Sequence, residues 1–163
     1  MKITFQGNPL TLDGTQLKQG DVLKDFVVAK NDLSTLSLTD TQGVRVFLTV
    51  PSLDTPVCDM EIREFNKRAG ELAGVAIYTI SLDLPFAQAR WCGTAGVENV
   101  VTASDYKEKS FAAATGTMIK ELGLLTRAAF VVDAAGKIIY AEYVSEVTEQ
   151  PNYDAILDAA NKA

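Results

Sequence analysis

Val44 to Val50 reads VRVFLTV, a run of β-branched and apolar residues that suits an interior strand, and Pro51 ends it by removing the N–H a continuing strand needs. Beyond Pro51 the period changes. Cys58, Ile62, Phe65, Ala69 and Leu72 recur at helical spacing, one face of an amphipathic helix. Thr55 suits the N-cap of that helix and Pro56 its first position. A second buried-strand pattern, Val75 to Leu82 (VAIYTISL), follows. Strand, helix, strand in this order implies a parallel pair with a crossover helix, so the chain is committed to an α/β arrangement.

The flanking segments extend that core. Ile3–Phe5 and Leu10–Leu12, separated by Gln-Gly-Asn-Pro, read as a β-hairpin; Leu23–Lys30 and Thr35–Leu38 read as short strands about an Asn31-Asp32 turn. Leu84-Pro85 opens a short helix, Phe86–Trp91, ending at Cys92 with Gly93 as its stop. Val97–Thr102 reads as a strand, and Ser104 as the cap of a segment reaching Ala114. The stretch between Gly116 and Gly123 suggests a short helix or turn. Ala128–Val132 and Lys137–Val144 flank Asp-Ala-Ala-Gly as a hairpin, and Tyr153, Ile156, Leu157 and Ala160 form one face of a closing helix. This order is that of a thioredoxin-like α/β sandwich with a central mixed sheet and an N-terminal β-hairpin extension. The length of 163 residues fits one domain, residues 1–163.

The chemistry centres on two cysteines. Cys58 falls three residues past its cap, where first-turn N–H groups and the positive helix end favour an anion, so a thiolate nucleophile is expected. The competing reading is a small apolar residue continuing the buried stripe. Cys92, near the other end of its own helix, lies where carbonyls disfavour negative charge; this assigns Cys58 as the attacking thiol and Cys92 as its partner, with inert cysteines or a static disulfide as the alternatives. The chain has no histidine, which excludes imidazole-based nucleophile activation and HExxH zinc chemistry, and two thiols alone argue against structural zinc. A net charge of −6 argues against a nucleic-acid partner. The N-terminus lacks a signal-type apolar region and no run reaches membrane-span length, so a soluble cytoplasmic protein without membrane association is expected, although a secreted chain whose signal had been removed would read the same.

Pro51, Thr55 and Cys58 match Pro-x-x-x-Thr/Ser-x-x-Cys, and together with Asp83-Leu-Pro-Phe-Ala-Gln-Ala-Arg-Trp-Cys-Gly93, Arg127 and Glu149-Gln-Pro-Asn-Tyr153 they make a sequence that resembles the thiol peroxidase branch of the peroxiredoxins. The loop Ile119 to Arg127 departs from the Gly-Pro-containing pattern frequent in that family. The resemblance implies reduction of hydroperoxides without cofactor or metal. Cys58 is oxidised to a sulfenic acid, which Cys92 resolves as an intramolecular disulfide that thioredoxin reduces. Thr55 and Arg127 then stabilise the reacting oxygens, Pro51 shields the site, and the protein is a homodimer. Phe86, Val57, Met60 and Leu125 are candidates to line an apolar approach, and Trp91 reads as a packing anchor. Two rivals remain from the residues alone: a protein thiol-disulfide oxidoreductase, disfavoured by the absence of C-x-x-C, and a redox sensor on the same fold.

Overall fold

The run at 44–50 becomes an interior strand of a seven-stranded sheet in the computed structural model of the chain, which describes residues 1–163. In chain order the strands are β1 (Ile3–Phe5), β2 (Asn8–Leu10), β3 (Leu12–Asp13), β4 (Val27–Lys30), β5 (Thr35–Ser37), β6 (Val44–Thr49), β7 (Val75–Ser81), β8 (Val100–Ser104), β9 (Met118–Ile119), β10 (Leu124–Leu125), β11 (Ala128–Val132) and β12 (Ile138–Tyr143). The helices are α1 (Pro56–Ala69), α2 (Pro85–Ala95), α3 (Ser110–Thr115) and α4 (Tyr153–Lys162). The large sheet runs β12-β11-β6-β7-β8-β4-β5, with β6, β7 and β8 parallel and every other neighbour antiparallel.

The alternation of a strand divides the core in two. Val46 and Leu48 of β6 face Ile62 and Phe65 of α1 and Ile156 and Leu157 of α4, whereas Phe47 between them joins Phe26, Phe111 and Phe130 in a second cluster. Phe26 meets Phe47 and Phe111 edge to face, with ring centroids 5.5 and 4.8 Å apart. The sheet is therefore covered on both faces, as its continuous apolar strands require. The β1–β2 hairpin lies outside it, pinned by Glu146, whose carboxylate accepts from Thr4 Oγ1 at 2.6 Å and from the Gln6 and Gly7 amides.

Several boundaries differ from those expected. The hairpin's second strand is Asn8–Leu10, and Leu12 turns away to pair with Ile119 in a separate three-stranded sheet. That sheet also converts the region between Gly116 and Gly123, expected as a helix or turn, into β9 and the approach to β10. Only Val27–Lys30 of the 23–30 run is strand, because Leu23 and Phe26 are drawn into the second cluster. Ser104 closes β8 and caps no helix; its side chain faces the Asp83 carbonyl, and α3 begins only at Ser110. Gly93 does not stop α2. The helix continues to Ala95, and Gly96, at φ 66°, takes the left-handed cap with its N–H on Cys92 O at 3.0 Å. Cys92 thus sits inside the last turn.

Gly116 ends α3 at φ 65°, with its Cα face against the N-terminal segment: a Cβ there would stand 2.5 Å from Thr15 O. Both left-handed strain and this backbone clash oppose any side chain. Gly116→Ala is expected to lose at least about 2 kcal/mol of stability in urea denaturation, whereas Gly93→Ala, at a helical site with open space around it, should gain roughly 0.5–1 kcal/mol.

Candidate active site

Two strand ends and one helix start converge here. Antiparallel pairing of Ala128 with Thr49 sets the residue before β11, Arg127, beside the end of β6, and Thr49 Oγ1 donates to Thr126 O at 2.7 Å to fix that junction. Pro51 is buried where β6 stops. The following loop is tied down by Asp83, which accepts from Ser52 Oγ at 2.7 Å and from the Leu53 amide at 2.8 Å. The chain then enters α1 with Thr55 at the N-cap in extended geometry, φ −117° and ψ 147°, and Pro56 at the first helical position. Cys58 follows in the first turn with no exposed surface.

The cysteine takes up both expected surroundings at once. Its body belongs to the apolar cluster of Val46, Leu48, Val50 and Ile62, while its Sγ lies 3.1 Å from Arg127 Nη2. The guanidinium itself is buried, and each of its edges has a partner: Nε donates to Val147 O at 2.9 Å, Nη1 to Glu61 Oε2 and Nη2 to the sulfur. It cannot rotate away without orphaning a buried charge. Burial pulls the Arg127 pKa down, but the Glu61 and Cys58 charges outweigh that effect and hold it above its ordinary value.

Glu61 was absent from the expected site, although a signal for it existed. It stands three residues after Cys58 on the buried stripe, a carboxylate among Cys58, Ile62 and Phe65 where an apolar residue belongs. Burial pushes its carboxyl up to about 7 against the opposing pull of Arg127. Its second oxygen, Oε1, is buried with no hydrogen-bond donor, a place for that proton. Gln150, from the Glu149 to Tyr153 block, donates Nε2 to Val57 O at 3.1 Å and so ties the first turn of α1 to the approach to α4.

Thr55 takes the expected N-cap position without the expected side-chain bond. Its hydroxyl makes no cap bond to α1 and instead donates to Ser52 O at 3.0 Å, which leaves the oxygen as an acceptor. Cys92 is not brought to Cys58: its Sγ lies 3.2 Å from Thr102 Oγ1 on β8, and both cysteines are free thiols. Trp91 acts as the expected anchor, half-buried, with Nε1 donating to Asp59 Oδ1 at 2.9 Å and the Arg63 guanidinium 5.8 Å over its ring. Of the apolar candidates, Phe86 and Met60 are exposed at 67% and 59%, whereas Leu125 is buried in the second cluster, across the sheet from Cys58.

The family model described as Redoxin matches residues 18–157. A thiol peroxidase of Clostridium acetobutylicum is 56% identical over 163 residues, spanning 100% of this chain and 99% of the relative. One from Bacillus subtilis is 52% identical over 98% of this chain and 96% of its own. Among solved structures, a peroxiredoxin-like protein from Aquifex aeolicus superposes with a TM-score of 0.93 at 39% identity, covering 99% of this chain and 96% of that one. A thiol peroxidase from Chromobacterium violaceum, at 20% identity and a TM-score of 0.90 over 99% and 96% of the two chains, shares the fold. The central mixed sheet is thus the thioredoxin-like one of the peroxiredoxins.

Glu61 keeps its proton to about pH 7 in the folded protein but only to its ordinary 4.5 when unfolded, so folding stability falls as pH rises through that window. Glu61→Gln should remove about 2 kcal/mol of that pH-dependent loss, read from urea denaturation across the same window. An unchanged slope would mean that Arg127 holds Glu61 ionised throughout.

Proposed function

Because the chain belongs to the redoxin family, as a thiol peroxidase of the peroxiredoxin type, we propose that it reduces hydrogen peroxide and alkyl or lipid hydroperoxides through Cys58, with Cys92 as the resolving thiol and thioredoxin as the electron source. The observation that carries the reading is the 3.1 Å contact between Arg127 Nη2 and Cys58 Sγ at the start of α1. In a chain without histidine, a fixed cation and a helix N-terminus meet on one sulfur.

The Cys58 thiolate attacks one peroxide oxygen; an S–O bond forms, the O–O bond breaks, and the departing oxygen leaves as water or an alcohol after taking a proton. Sulfur is oxidised by two electrons to a sulfenic acid. Negative charge moves from sulfur to the departing oxygen, and donors already in place for it lower the barrier. Arg127 supplies them without reorganisation, since Glu61 and Val147 O hold its other edges. Thr55 Oγ1, its own proton engaged by Ser52 O, accepts from the O–H of the incoming peroxide and orients it. Pro51 limits water at the site, being buried and having no N–H to hydrate.

Cys92 then attacks the sulfenic sulfur. A disulfide needs Cα atoms within about 7 Å, and here one thiol is bound to Arg127 before β11 and the other to Thr102 on β8, so local unwinding of α1 or α2 accompanies turnover. A thioredoxin-like dithiol reduces the bridge. The exposed Phe86 and Met60 near these helix starts, and the half-buried Val57 next to Cys58 in α1, favour organic hydroperoxides. No helix is long and apolar enough to cross a membrane, and the proposed setting is antioxidant defence in the cytoplasm, as a homodimer.

Arg127→Lys should slow Cys58 oxidation about 100-fold or more in stopped-flow mixing with peroxide, since a lysine cannot hold sulfur, Glu61 and Val147 O together. Retention of the full rate would remove Arg127 from the mechanism. Cys92→Ser should undergo one sulfenylation and then stall with thioredoxin, as followed by intact mass and reductant consumption; sustained turnover would end the resolving role. Steady-state comparison should give cumene hydroperoxide the higher kcat/KM over hydrogen peroxide.

A further inference from the structure

Cys92 has a hydrogen-bonded place of its own. Its Sγ lies 3.2 Å from Thr102 Oγ1, and Thr102 Oγ1 donates to Asn31 Oδ1 at 3.1 Å. A hydroxyl has one hydrogen and an amide oxygen only accepts, so the Thr102 proton is committed to Asn31. The contact to sulfur must then be an S–H donated by Cys92. The chain Cys92 to Thr102 to Asn31 then has one direction, with the Cys92 S–H as its first donor.

The location of this chain is as informative as its polarity. Thr102 is a buried residue of β8, and Asn31 lies in the turn between β4 and β5. With Cys92 they line a groove of ≈ 380 Å³ whose other walls include Lys30, Val97 and Val101. Cys58 Sγ is held by Arg127 just before β11, and β11 and β8 are three places apart in the sheet order β11-β6-β7-β8. The Cys92 thiol is therefore engaged on the β8 and β4 side of the molecule while the sulfur it must reach is engaged at the start of β11.

We propose that Thr102, backed by Asn31, is a positioning residue that parks the Cys92 thiol away from Cys58 and thereby sets how fast the sulfenic acid is closed into a disulfide. The proposal rests on the reading of Cys92 as the resolving thiol. In the closing step the Cys92 sulfur bonds to the Cys58 sulfur, the sulfenic S–O bond breaks, and the hydroxide leaves as water with the thiol's proton; no further oxidant is needed. Before that step the S–H···O bond must break. While Cys92 stays parked, a second peroxide can take the sulfenic acid on to a sulfinic acid. Thr102 thus governs the partition between resolution and overoxidation without touching the peroxide.

Thr102→Val keeps the shape and removes the acceptor; Thr102→Ser keeps the hydroxyl. Rapid mixing of the reduced full-length proteins with peroxide, read by Trp91 fluorescence and intact mass, separates sulfenylation from disulfide closure. The valine variant is expected to sulfenylate at the wild-type rate and to close about two- to fivefold faster, the scale of one weak hydrogen bond. The peroxide concentration that gives half sulfinic acid should rise by the same factor, and the serine variant should match wild type. Asn31→Ala, at a half-buried turn, should give a smaller acceleration, and it answers the question if the valine variant does not fold. Closure at the wild-type rate or slower in Thr102→Val, or valine-like behaviour of Thr102→Ser, overturns the proposal. A wild-type protein that forms no Cys58–Cys92 bond after one equivalent of peroxide is a different failure, since it removes the resolving reading itself.

Discussion

A guanidinium buried at the junction of a strand and a helix is the constraint on which the rest of this structure depends. Removing an arginine from water costs several kcal/mol unless its donors are met, and here the partners come from distant parts of the chain. Glu61 belongs to α1, Val147 to the segment after β12, and Cys58 to the first turn of α1. Satisfying Arg127 therefore fixes the register of β11, the position of α1 and the path of the C-terminal segment together. The same satisfaction leaves one edge of the cation against sulfur, so the contact that stabilises the fold also prepares the reacting atom.

Around that point the scaffold is stiff in some directions and separable in others. Asp83 clamps the loop between β6 and α1, and Gln150 holds the first turn of α1 from the C-terminal side. Between the helices carrying the two cysteines the contacts are fewer and lie nearer the surface: Trp91 to Asp59, and Arg63 over the Trp91 ring and reaching Ala95 O. A two-cysteine peroxidase needs both properties, because the first reaction demands a preorganised sulfur and the second demands that two helices release their first contacts. Parking Cys92 on Thr102 fits this division, since it delays the second step without disturbing the first.

Much of the arrangement could be read before folding was considered. The strand that Pro51 ends, the helix that Thr55 and Pro56 begin, and the parallel partner at 75–81 all follow from local pattern. Less legible were the elements whose state depends on a distant neighbour. Met118–Ile119 becomes strand because Leu12 pairs with it, and Leu23 leaves its expected strand for an aromatic cluster assembled from distant parts of the chain. Gly93 misled for a related reason: glycine permits a helix to end but does not compel it, and Gly96 supplied the left-handed turn.

The sequence by itself determined that a cysteine would stand in the first turn of a helix after a buried strand, because spacing, cap and proline act over a few residues and need no partner. Only the tertiary structure decided that Arg127 and Glu61 would meet at that sulfur, that the Thr55 proton would turn to Ser52, and that Cys92 would face Thr102. Those outcomes depend on which strand end lies beside which helix and on the need of each buried charge and polar group for a partner. Such needs are met across the sheet, between residues that no local pattern connects.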